Sequence, residues 1–148
     1  MESPHLPTET YQLDVKDTIK LIYALLGVFC DENTFISLEG DLSYLDTKGI
    51  TVITQEPDGV LDQKGNPKNG RVVFLFSPKN RIFIEKNILP RVGIHNRIWH
   101  ILIYKGDELL FASFDNFGDN QTFVSAAIGI ERLNILIDSK VLINYKHS

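Results

Sequence analysis

The segment from Arg97 to Asp115 constrains this chain most. Two β-prone runs, Arg97 to Tyr104 and Glu108 to Asp115, meet at Gly106-Asp107, which suits a tight hairpin turn. In the first arm Trp99, Ile101 and Ile103 alternate with Ile98, His100, Leu102 and Tyr104. The second arm sets Leu110, Ala112 and Phe114 against Leu109, Phe111, Ser113 and Asp115. Successive side chains leave a strand on opposite faces, so both faces of this hairpin are apolar. Such a hairpin needs cover on both sides and is expected at the centre of a sheet.

The flanking segments supply that cover. Asp14 to Phe29 reads as a helix, with Asp14 as N-cap and Asp17 in the first turn. Leu13, Ile19, Ile22, Leu26 and Phe29 fall near helical spacing. The apolar run Leu21 to Cys30 has ten residues. About twenty are needed to cross a bilayer, so this run reads as core and no membrane partner is expected. Thr34 to Leu38 and Ile50 to Thr54 are β-prone, with Gly40 and Asp41-Leu42-Ser43 marking a turn or bulge. Residues 55–70 carry Glu56-Pro57-Asp58-Gly59 and Gly65-Asn66-Pro67, the signature of a long surface loop or hairpin tip. Arg71 to Phe76 reads as a buried strand.

Residues 78–88 pull two ways. Ile82-Phe83-Ile84 favours a strand, whereas Ser77-Pro78 and Leu89-Pro90 favour the two ends of a helix, and the helix is preferred. Ser125 is placed to cap a last helix that runs to about Asp138, weakened by Gly129. Val141 to Tyr145 closes the chain as a strand. Without regular strand–helix alternation, the expectation is one α+β domain. It is a largely antiparallel sheet with an N-terminal and a C-terminal helix packed on it. Residues 1–12 read as a poorly ordered lead-in.

Composition excludes several function classes. Hydrophobic residues at 43% and charged residues at 23% of 148 match an ordinary folded domain. The single cysteine, Cys30, excludes an intrachain disulfide framework and a cysteine zinc knuckle. With one reduced cysteine and no basic-then-apolar leader, the expected location is cytoplasmic. The net charge of −4 divides into −9 over residues 1–62 and +5 over residues 63–148. An acidic chain is a poor ligand for DNA or RNA. Either the two halves pack together and neutralise, or the acidic half forms a face that attracts a basic partner.

No motif declares chemistry. There is no Gly-x-x-x-x-Gly-Lys-Ser/Thr, no Gly-x-Gly-x-x-Gly and no Gly-x-Ser-x-Gly, and no cofactor is expected. His5, His95, His100 and His147 show no metal-ligand spacing. The stretch Asp115 to Asn120 lacks the ligand spacing and distal glutamate of a calcium loop. Glu39 and Asp41 flank Gly40 and share a face if extended, with Asp46 nearby. Phe117 sits inside a polar loop, where an exposed aromatic beside acids is a typical interface anchor.

Two segments carry a resemblance. The first is Phe35-Ile36-Ser37-Leu38-Glu39-Gly40-Asp41-Leu42-Ser43 after the first helix. The second is Trp99-His100-Ile101-Leu102-Ile103 leading through Gly106 to Phe114-Asp115-Asn116-Phe117. Their layout resembles the small bacterial immunity proteins that neutralise toxins of contact-dependent and polymorphic toxin systems. The resemblance implies a non-enzymatic cytoplasmic inhibitor with an acidic binding face. The favoured reading is therefore a module that binds a basic protein through Glu39, Asp41, Asp46, Asp115, Phe117 and Asp119. Two alternatives stay open. One is a small carboxylate–histidine or metal-dependent enzyme using Glu39, Asp41, His100 and Asp115. The other is an adaptor or subunit, a homodimer included, that binds by strand addition at an edge such as Val141 to Tyr145.

Overall fold

Alternation of apolar side chains builds the sheet in this computed structural model, which describes residues 9–42, 44–56, 60–61, 67–68, 70–92 and 98–148. The strands are β1 (Thr10–Val15), β2 (Thr34–Gly40), β3 (Val52–Glu56), β4 (Val60–Leu61), β5 (Pro67–Lys68), β6 (Gly70–Leu75), β7 (Ile98–Lys105), β8 (Glu108–Ser113), β9 (Thr122–Ser125) and β10 (Leu142–His147). Eight of them form one antiparallel sheet in the order β10-β1-β9-β8-β7-β2-β6-β3, and β4 pairs with β5. The chain is an α+β fold, and the β7–β8 hairpin lies at the centre of the sheet.

Both faces of that hairpin carry buried apolar side chains, and the described helices pack on one of them. On one face, Ile36, Leu38, Val72, Phe74, Ile101, Ile103, Phe111 and Val124 join the main core. Leu21, Ile22, Leu25, Leu26 and Phe29 of α1 (Thr18–Phe29) pack into it. So do Leu133 and Leu136 of α3 (Ile130–Asp138). A helical segment at residues 78–91 adds Ile84, Ile88 and Leu89; its pitch passes from a 3-10 turn through α2 (Arg81–Phe83) and a π turn back to 3-10. The opposite face carries a smaller cluster of Val73, Tyr104, Leu109 and Ala112, with Phe35, Leu102 and Phe114 packed against it. The Phe35 and Tyr104 rings stack there at 5.6 Å. Among the described residues no helix is long and apolar enough to cross a membrane.

Several boundaries differ from expectation. The first helix begins at Thr18, and its N-cap is Asp17, whose carboxylate accepts the Lys20 backbone N–H at 3.0 Å. Residues 10–12 of the expected lead-in belong instead to β1, held between β9 and β10; residues 1–8 lie outside the described residues. The period-two signal of β1 is only Tyr11 and Leu13 turned into the core, too short to outweigh the helical pattern beside it. Strand β9 escapes the sequence for the same reason, having four residues. The helical preference for 78–88 agrees with the structure, although the Ser77 hydroxyl caps nothing. Ser125 does cap, accepting the Ala127 N–H at 3.1 Å, but it caps the 3-10 turn Ala126–Ile128. Gly129, at φ +87°, then interrupts before α3 begins. In the expected 55–70 loop, Gln55 and Glu56 complete β3, Val60–Leu61 pairs with Pro67–Lys68, and Gly70 opens β6; residues 57–59, 62–66 and 69 lie outside the described residues.

Topology also redistributes charge. In the sheet order, β1 of the acidic half sits between β10 and β9 of the basic half, and β2 sits between β7 and β6. The acidic half is therefore not a separate face. Glu39 stands opposite Arg71, and Asp31 pairs with Lys105 at 3.5 Å on the surface.

Candidate functional site

Antiparallel pairing brings distant acids to one end of the sheet. The last residues of β1 and β2, the first of β7 and β10, and the loop from β8 to β9 all lie there. That end carries Asp14, Glu39, Asp41, Asp115 and Asp119, drawn from both sequence halves. Lys16, Arg71, Lys140 and Lys146 are described cations near these acids in the chain, by register or in the same cleft.

His100 is the hub of the first part. In register it faces Glu39 across β2–β7. Directly paired cross-strand residues have Cβ atoms about 4.5–5.5 Å apart, so the two side chains are neighbours. Its Nδ1 accepts the Asp115 backbone N–H at 3.2 Å, and its ring lies 5.8 Å from that of Phe114. An acceptor at Nδ1 places the proton of neutral imidazole on Nε2. His100 then offers a donor outward, as a recognition contact does, rather than the free lone pair of a general base. Glu39, His100 and Asp115 do come together, but Asp115 engages the imidazole through its backbone.

Trp99 lies beside this group at 40% exposure. Alternation alone would turn it inward with Ile101. The β2–β7 register slips between Glu39 and Gly40, so Glu39 pairs with His100 and Gly40 with Ile98. Trp99 is the extra residue of that bulge, and Ile98 takes the buried position instead. The sequence contained Gly40 as a bulge signal, but not the side to which Trp99 would turn.

The β8–β9 loop is held in a strained form. Asp115, Asn116 and Phe117 are consecutive left-handed residues at φ +52°, +53° and +59°, and Asn120 follows at +61°. The Asn116 N–H donates to the Trp99 carbonyl at 2.8 Å, and Gly118 N–H to Phe114 at 3.2 Å. The first bond pins the turn onto β7, and the second closes the turn on itself. Asp and Asn tolerate the left-handed region better than β-branched residues do. Asp115→Val is therefore expected to cost about 1–2 kcal/mol of stability, whereas Asp115→Gly costs little. Chemical denaturation of both variants checks this; equal losses would contradict it.

The remaining predicted residues divide. Phe117 is half-buried, with its ring 6.5 Å from Phe111 at the edge of the core, so it is a wall of the site rather than a free anchor. The Asp46 carboxylate accepts the Lys48 N–H at 3.0 Å and serves its own turn. Asp41 follows β2 directly, and Asp119 lies further along the β8–β9 loop, near β1. Sequence reasoning missed Asp14, which it had assigned to a helix cap, and gave Trp99 no role. Among the described residues, no three His, Cys, Asp or Glu side chains are grouped to hold a metal ion.

Cys30 lies away from this end, at the C-cap of α1, and is half-buried. Burial pushes its thiol up, nearby Arg81 opposes this, and Asp31 adds to the rise. The thiol is expected to react with Ellman's reagent more slowly than free cysteine near neutral pH, and faster as pH rises. A rate equal to that of free cysteine would contradict this.

Comparison with family models, with curated proteins and with solved structures returned no match.

Proposed function

We propose that this chain is a non-enzymatic module that binds a basic protein through the acidic end of its sheet. The observation that carries the reading is the gathering of Glu39, Asp41, Asp115 and Asp119 at one end by antiparallel pairing of segments far apart in sequence. Exposed Trp99 stands among them and supplies an aromatic anchor of the kind that dominates binding energy. Carboxylates around such an anchor steer a basic partner and select it. In its specific form the reading is an immunity-type inhibitor of a basic toxin. The Nε2 donor role of His100 supports recognition over general-base catalysis.

The test is capture of a stoichiometric partner by the tagged chain from its native lysate, washed at rising salt. A basic protein that leaves as salt rises is the expected result. The double variant Glu39→Lys/Asp41→Lys is expected to lose at least about tenfold in affinity while staying folded, with a stability loss of up to about 1 kcal/mol because the new cation stands opposite Arg71. Unchanged affinity in that variant would remove the acidic-end assignment.

A further inference from the structure

Strand β1 outruns one of its neighbours. Its register with β9 ends at Gln12 opposite Phe123, while its register with β10 continues to Val15 opposite Leu142. The loop leading into β9 takes the place beside β1 and leaves a cleft of about 350 Å³. That is the small end of the range of about 300–1,000 Å³ typical of ligand sites. The Gln12 side-chain amide donates to the Asn120 side-chain carbonyl at 2.6 Å and ties the loop to the strand. Phe117, packed toward Phe111, fixes the wall from the core side.

The lining chooses the ligand. Asp14, Asp119, Asn120 and Asn144 are among the residues lining the cleft, and the lining is mostly polar; the Tyr145 ring itself packs edge-on to Tyr11 on the core side. Lys146 is the described cation of the lining. Neither aspartate has an ion-pair partner among the described residues, and both are exposed. A planar cation with several N–H donors satisfies this set. A guanidinium can fork two N–H groups onto a carboxylate and still donate to a neighbouring amide oxygen, whereas an ammonium is a point charge without that fork.

We propose that this cleft receives an arginine side chain of the bound partner. The proposal rests on the reading of the acidic end as a surface for a basic protein, and it names the group that surface would grip.

The test titrates the ¹⁵N-labelled chain with N-acetyl-arginine methylamide, and in parallel with the lysine and glutamine counterparts and with glucose. Saturable shifts confined to β1, the β8–β9 loop and the Asn120 and Asn144 side-chain amides are expected with the arginine compound. The lysine compound is expected to bind more weakly, and the others not at all. Asp14→Asn/Asp119→Asn, at exposed positions, is expected to weaken the arginine compound about tenfold while the rest of the amide spectrum stays put. Absence of a saturable shift would overturn the proposal. So would an equal response to the glutamine compound, a response to glucose instead, or indifference to the double variant. The same variant in partner capture separates the two readings. Retained capture in Asp14→Asn/Asp119→Asn, with capture lost in Glu39→Lys/Asp41→Lys, would remove the cleft and keep the acidic end. Unchanged capture in Glu39→Lys/Asp41→Lys would remove the acidic end, and the titration would still decide the cleft.

Discussion

Phe74→Ala is expected to lower the free energy of unfolding by about 3–5 kcal/mol. Phe74 is fully buried on β6 and stands in register with Ile36 of β2 and Val52 of β3. Its ring meets that of Phe83 edge-to-face at 5.6 Å, so it also ties the sheet to the helical segment 78–91. Truncation removes the buried ring and leaves a cavity between a sheet and a helix that are both held by other contacts, so collapse can fill only part of it. A domain typically has about 5–15 kcal/mol in total, so the variant should be marginal at ambient temperature. Urea unfolding followed by circular dichroism measures the loss. A loss below about 1.5 kcal/mol would mean that this layer closes over the cavity, contrary to the packing described.

Trp99→Ala should do the reverse, sparing the fold and damaging recognition. At 40% exposure the indole contributes less to the core than its size suggests. Its place in β7 is secured by backbone bonds, one of them from the Asn116 N–H to its carbonyl, which alanine keeps. Stability is therefore expected to fall by less than about 1 kcal/mol. Affinity for the partner is expected to fall by about 2 kcal/mol or more, roughly thirtyfold, because an aromatic anchor among charges is the typical hot spot. Calorimetric titration of the captured partner reads both affinity and enthalpy. A variant that binds as tightly as the parent would place the interface away from β7.

The two predictions probe different kinds of information. Phe74 was legible in advance, because the run Arg71 to Phe76 is apolar enough to demand burial wherever it pairs. The hairpin of β7 and β8 was legible for the same reason, and so was its central position. Strands β1 and β9 were not. β9 has only four residues and β1 turns only Tyr11 and Leu13 into the core, so each is a strand because a neighbour is available on both sides, not because its own residues insist on it. The helical signal of α1 ran backward over Asp14 because a carboxylate caps a helix equally well at Asp14 or Asp17, and only the pairing of β1 with β10 decides between them.

For the site, the residue types were readable and their company was not. Glu39, Asp41, Asp115 and Asp119 stand out as acids near turns, yet the acid-rich half of the chain suggested a face that the strand order does not build. Residue by residue, the sequence determined which segments bury apolar surface, where the turns fall and that no familiar catalytic signature is present. Those properties follow from local side-chain chemistry and period. The tertiary structure alone decided that β1 and β2 thread between strands of the basic half, and that Asp14 and Asp119 face one cleft. It also decided that Trp99 turns outward at a bulge. Each of these depends on which strands become neighbours and in what register, and a slip of one residue reverses the face to which every later side chain belongs.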